Sequence, residues 1–233
     1  MKINANKCIN CKLCISLCPV EAIHVKVGYV IINHETCVEC GLCKRSNICK
    51  QQAFIEKKMA WPRSIRRALS NPVEVYVSTG VTGRGTEEMK TNDVTERYKK
   101  DELGISIDVG RPNRGTTFRE IEKITKELSS LAVNFEAKNP ISEVIKDFRT
   151  GEINKSVLDE HILSGIIEFR IKKDDIFTVL RKIDEFKHKV DTVFTIGIIF
   201  SNVKENMSLV SQLHEHGWPV SQQAKINVGL GRK

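Results

Sequence analysis

Eight cysteines lie between Cys8 and Cys49, and the rest of this 233-residue chain has none. They fall into two runs. The first, Cys8-Ile9-Asn10-Cys11-Lys12-Leu13-Cys14-Ile15-Ser16-Leu17-Cys18-Pro19, has the spacing C-x2-C-x2-C-x3-C-P. The second places Cys37, Cys40 and Cys43 at the same intervals, but Cys49 follows after five residues and Lys50 stands where a proline is expected. Cys8, Cys11 and Cys14 map onto Cys37, Cys40 and Cys43 at one constant offset, and Cys18-Pro19-Val20-Glu21-Ala22-Ile23 maps onto Cys49-Lys50-Gln51-Gln52-Ala53-Phe54. The runs are therefore an internal repeat. Disulfide-rich secreted proteins usually spread their bridges over their domains. Such crowding, without an apolar export segment after Met1, points to metal ligation and to the cytoplasm.

The spacing carries its own chemistry. Three thiolates two residues apart let a short loop wrap one iron–sulfur cube, with backbone N–H groups turned toward sulfur to offset its charge. A fourth cysteine in the same run is wrongly aimed to close that cube and reaches a second one. Pro19 fixes the chain direction after it by locking φ. Paired C-x2-C motifs also build four-cysteine zinc sites, but those typically use two separated pairs and not three cysteines in tandem. Clusters that never change oxidation state remain a second alternative.

On these residues, positions 1 to about 57 resemble the bacterial-type 2[4Fe-4S] ferredoxin family. The resemblance implies two [4Fe-4S] clusters. One would use Cys8, Cys11, Cys14 and Cys49; the other would use Cys37, Cys40, Cys43 and Cys18. It also implies one-electron transfer with a redox enzyme or other donor or acceptor protein as partner. The longer interval before Cys49 departs from the family pattern and would expose the first cluster to solvent or to a partner.

The formal charge of +8 counts every cysteine as neutral. An oxidised cube with its thiolates carries about −2, so two would cancel roughly half of that excess. Composition is otherwise that of a globular chain, with 40% hydrophobic and 28% charged residues. No run is long and apolar enough to span a bilayer.

The expected architecture is α+β: the cysteine module over residues 1–57, a basic linker over 58–72, and a larger α/β-sandwich domain with β-α-β units over 73–233. A short helix is expected from Pro62 to Leu69, with Arg63, Arg66 and Arg67 able to dock an acidic surface. Strands are expected at 25–27 and 30–32, turning at Gly28-Tyr29, and at 73–78, 104–109, 132–137, 165–171, 190–200 and 225–230. Helices are expected at 117–131, where Thr117 to Glu120 spells a capping box, and at 140–148, 176–186 and 207–214. Together they suggest a mixed sheet.

Two glycine-rich loops, 79–86 and 110–116, both contain Arg-Gly-Thr. Glycines expose N–H groups and arginines supply forks, so an anionic ligand near Arg84 and Arg114 is one possibility and a pair of solvated turns the other. Neither loop is a Walker A or dinucleotide fingerprint. The charged stretch from Glu87 to Glu102 suggests either a mobile excursion or a partner-contacting arm. His214 and His216 do not share a helix face. An electron-transfer protein or subunit accounts for most of this. An iron–sulfur enzyme or activating factor with an anionic ligand is the first alternative. A redox-sensing nucleic-acid module is the second, weakened by few aromatics for stacking.

Overall fold

The computed structural model describes residues 1–86, 99–111, 113–131, 133–200 and 203–221. The expected strand at 225–230 and most of the charged stretch from Glu87 lie outside the described residues. The cysteine module is built from short pieces. Strand β1 (Lys2–Ile3) pairs with β4 (Phe54–Ile55), and a hairpin joins β2 (Ile23–Lys26) to β3 (Tyr29–Ile32), with one helical turn, α1 (Leu42–Arg45), between. The hairpin turns at Val27 and Gly28, one residue earlier than expected. Both have positive φ, 48° and 80°, as a two-residue loop matched to strand twist requires. Met1, Ile23, Val30 and Phe54 form a small buried cluster, against which five of the cysteines pack.

After α2 (Ser64–Ser70) the chain enters the larger unit. In sequence come β5 (Glu102–Val109), β6 (Thr116–Thr117), α3 (Phe118–Ser129), β7 (Asn134–Phe135), α4 (Pro140–Glu143), β8 (Ile145–Asp147) and β9 (Glu152–Ile153). Then follow β10 (His161–Ile162), β11 (Gly165–Lys172), α5 (Ile176–Phe186), β12 (Phe194–Ile199) and α6 (Val203–Glu215). Four strands form one sheet in the order β12-β5-β11-β7, with every pairing antiparallel. The expected mixed pairing is thus not present among the described residues. The reason is topological: β11 lies between β5 and β7, and β5 lies between β11 and β12, so the strands joined by α3 and by α5 never touch. No described helix is long and apolar enough to cross a membrane.

Alternation along β5 turns Leu103, Ile105, Ile107 and Val109 to one face, where Ile167, Phe169 and Ile171 of β11 join them. Phe118, Ile121, Ile124 and Leu128 of α3 and Ile176, Val179, Leu180, Ile183 and Phe186 of α5 belong to the same core. Each such side chain contributes roughly 1.5–3 kcal/mol on burial. That outweighs a missing cap worth about 1 kcal/mol. Thr117 does sit at the N-cap of α3 in extended conformation, but its hydroxyl caps nothing. Glu120 instead binds Lys123 and the Asp191 amide, so the expected capping box does not form.

Two further expectations fail locally. Residues 73–78 make a single bridge, Val75 to Thr82, because Tyr76 and Gly80 close a tight turn, leaving Val77 97% exposed. The helix from Pro140 stops at Glu143, and Ile145–Asp147 becomes a strand, with Asp147 accepting from the Arg149 amide in an Asx turn. α2 begins at Ser64, two residues after Pro62. On the second sheet face Glu168 is fully buried, accepting from Asn139 at 2.7 Å and Thr86 at 2.5 Å.

The turn from β8 to β9 is locked onto α3. Gly151 has φ of 71°, the Thr125 hydroxyl donates to its carbonyl at 2.7 Å, and an added Cβ would lie 2.3 Å from the Thr125 oxygen. Gly151→Ala is therefore expected to lower stability by about 2–4 kcal/mol, since strain and overpacking add. Denaturant melts of the full chain, monitored at Trp61 and Trp218, measure it.

Candidate metal centres

Both cysteine loops adopt the same unusual backbone. Asn10 and Lys12 have φ of 55° and 66°; their counterparts Glu39 and Gly41 have 57° and 71°. Non-glycine residues rarely enter this region, so its recurrence at matched positions shows one loop design used twice. The repeat persists at the fourth cysteines. The Ala22 amide donates to Cys18 Sγ at 3.2 Å and the Ala53 amide to Cys49 Sγ at 3.4 Å, after turns in which Glu21 and Gln52 have positive φ.

The eight thiols surround two cavities. Cys8, Cys11, Cys14 and Cys49 line the first, of about 120 Å³. Cys18, Cys37, Cys40 and Cys43 line the second, narrower at about 20 Å³. Each cavity takes three thiols from one run and the last from the other. Electrostatics draws the same division. Burial raises the Cys14 thiol, with Cys11, Cys8 and Cys49 pushing further in the same direction. Burial lifts Cys43 to about 12, reinforced by Cys40, Cys37 and Cys18. Cys37 and Cys40 are raised as well, again chiefly by burial.

Four half-buried thiols cannot ionise together unaided, because each anion opposes the next. A cationic metal core among them reverses that cost. The donor set therefore fits an iron–sulfur group. Among the described residues no three His, Cys, Asp or Glu side chains are grouped to hold a metal ion. The thiols stand around cavity walls instead, as a cube requires when each sulfur bonds a different iron.

The two cavities differ in their surroundings. The first opens outward: Cys11 is exposed, Ile9 is 66% and Leu13 55% exposed, and Lys12 and Lys50 stand on its lining. The loops around the second are bonded to α2 and the larger unit. Arg66, 5% exposed, donates to the carbonyls of His34, Glu35 and Cys37 and also engages Glu160. Arg63 grips Glu39 at 2.6 Å and the His34 carbonyl at 2.8 Å. The Asn113 amide donates to the Pro19 carbonyl. Glu39, buried on the second cavity's lining, also binds the Met1 ammonium. Burial alone would raise its carboxyl, but the bonds from Met1 and Arg63 outweigh burial and hold it below the usual range. Ile65 and Leu69, on the same helix as the arginines, belong to the larger core.

The basic helix thus does dock, as its arginines suggested, though Arg63 and Arg66 meet loop carbonyls as much as acids; Arg67 binds Glu74 and Glu56. Glu39 and Glu160 went unrecognised in the sequence. An acid between two cysteines of a C-x2-C pair was the only available signal for the first. In the glycine-rich loops both arginines are engaged by acids. Arg84 pairs with Asp108 at 3.2 Å, and Arg114 with Asp191 at 2.5 Å. His216 lies against the Phe177 ring, at 4.3 Å between centroids.

Comparison with known proteins agrees with the N-terminal geometry. The 4Fe-4S binding domain family matches residues 1–24. An uncharacterized ferredoxin of Methanocaldococcus jannaschii is 53% identical over 112 residues, covering 48% of this chain and 64% of that protein. Ferredoxin-1 of Caulobacter vibrioides is 32% identical over 44 residues, 18% of this chain and 39% of its own. Ferredoxin-1 of Rhodobacter capsulatus is 45% identical over 40 residues, 17% and 62%. The chain thus spans less than two thirds of each of these relatives. No solved structure matches it. The N-terminal module is of the 4Fe-4S ferredoxin type.

Replacing Arg66 by Met removes a buried cation from Glu160 and three carbonyls. Stability is expected to fall by about 3–5 kcal/mol, with faster amide hydrogen exchange concentrated in residues 34–37. Unchanged exchange there would remove Arg66 from its bridging role.

Proposed function

We propose that this chain is an electron carrier with two [4Fe-4S] clusters, relaying single electrons to or from a partner oxidoreductase. Cys8, Cys11, Cys14 and Cys49 would hold one cluster, and Cys37, Cys40, Cys43 and Cys18 the other. The observation that carries this is the crossed lining of the two cavities, three thiols from one run and the fourth from its repeat. When bound, each cluster supplies a one-electron site whose potential is set by charge, hydrogen bonds to sulfur and exposure.

The residues present supply those influences. The Ala22 and Ala53 amides soften the charge on Cys18 and Cys49, which favours the reduced form. Arg63 near Cys37 and Arg45 near Cys40 act in the same direction at the second site. Proximity of two sites within one 57-residue module favours exchange between them. We further divide the chain into the module (1–57), a connector (58–72) whose helix is shared by both sides, and a second domain (73–233). In that domain β5-α3-β7 and β11-α5-β12 are two split β-α-β units of an α/β sandwich. This division suits a carrier held in a fixed pose by a dedicated partner domain.

Cys18→Ala is expected to remove the cluster built on Cys37, Cys40 and Cys43, with roughly half the iron lost. The contact-shifted cysteine proton signals of Cys8, Cys11, Cys14 and Cys49 should remain. Cys49→Ala should give the converse. Loss of the Cys8, Cys11 and Cys14 signals in Cys18→Ala would overturn the crossed assignment, and zinc-loaded, colourless material from anaerobic preparation would overturn the function.

A further inference from the structure

The mouth of the first cavity has a composition that specifies its visitor. Ile9 and Leu13 stand out from the surface beside the exposed Cys11, and the exposed Lys12 and Lys50 share the same lining. No Asp or Glu lines this cavity. Residues 1–57 contain no Asp, and their acids are Glu21, Glu35, Glu39 and Glu56. Glu39 is buried at the second cavity, and Glu56 is paired with Lys44 and Arg67. The lining of the first cavity therefore carries ammonium groups and no carboxylate. An iron–sulfur core held by thiolates is itself anionic, but it would lie beneath this rim, so an approaching surface meets ammonium groups first.

At the second cavity, Arg66 and the Asn113 amide bind carbonyls of the surrounding loops, which ties those loops to the chain's own larger unit.

We propose that the Ile9–Leu13 patch with its Lys12 and Lys50 rim is the docking port for a redox protein of acidic surface, and that external electrons cross at the Cys8, Cys11, Cys14 and Cys49 site. This rests on the electron-carrier reading above. The apolar patch excludes water over the shortest path to the site, and the lysines steer the partner to it. Steering of this kind raises association rates by about 10–10³-fold at low salt and fades as salt screens it. In the transfer itself a reduced cluster loses one electron and the partner's cofactor gains it; no covalent bond changes.

The test uses the full-length holoprotein, reduced anaerobically with dithionite and desalted. Two oxidised acceptors are mixed with it by stopped flow: flavodoxin, an acidic flavoprotein that takes one electron to its semiquinone, and cytochrome c, a basic haem protein. Transfer to flavodoxin should be fast at low salt and slow steeply as salt rises. The double variant Lys12→Glu with Lys50→Glu, which keeps every cysteine, should slow it at least tenfold while speeding transfer to cytochrome c. Lys138→Glu with Lys146→Glu, exposed on the larger unit, should change neither rate beyond twofold. The port is overturned if the first variant leaves the flavodoxin rate within twofold, or if the control pair slows it equally. Either result with normal transfer to cytochrome c leaves the carrier role standing. Failure of the reduced wild-type protein to pass electrons to either acceptor sinks the carrier role and the port with it.

Discussion

Sulfur anions crowded into a half-buried space repel one another, and the N-terminal module is arranged around that repulsion. Burial and mutual charge hold the Cys43 thiol up to about 12. A metal core whose separate irons bonded the four sulfurs would remove the penalty and convert the most unfavourable spot in the module into its centre. The small apolar cluster of Met1, Ile23, Val30 and Phe54 is too slight to dictate the surrounding loops alone. Left-handed residues at matched positions of both loops, and amides aimed at Cys18 and Cys49, are the local accommodations such a centre demands.

The module was legible in the sequence because ligation writes itself as spacing. Cysteine intervals, the offset of the repeat and its longer last interval can be counted, and backbone geometry repeats as the residues do. In the larger unit, strong periodicity was also readable: α3 and α5 carry their apolar faces where spacing put them, β12 falls within its expected strand, and β5 and β11 overrun theirs by two residues and one. Elements set by tertiary partners were not readable. Val73 to Ser78 alternates like a strand but pairs only through the single Val75–Thr82 bridge. Thr117 spells a cap whose Glu120 is taken by Lys123 and Asp191. A mixed sheet was inferred from chain order, which does not reveal that β11 inserts between β5 and β7.

Arg66 and Glu39 show a further limit. Nothing about an arginine in a basic stretch says it will be buried, because burial comes from three loop carbonyls and Glu160 converging from distant parts of the chain. Buried charge of this kind fixes position more than it adds stability, since desolvation consumes much of the Coulombic gain. Here it holds the second cysteine site against the larger unit while leaving the first open.

Sharing α2 between both halves restricts what descent can do with this chain. Ile65 and Leu69 belong to one core while Arg63 and Arg66, on the same two turns, belong to the other's loops. A recombination breakpoint before that helix would strip the module of its clasp, and one after it would rob the larger unit of part of its interior. The halves are therefore expected to be inherited together and not shuffled as separate cassettes.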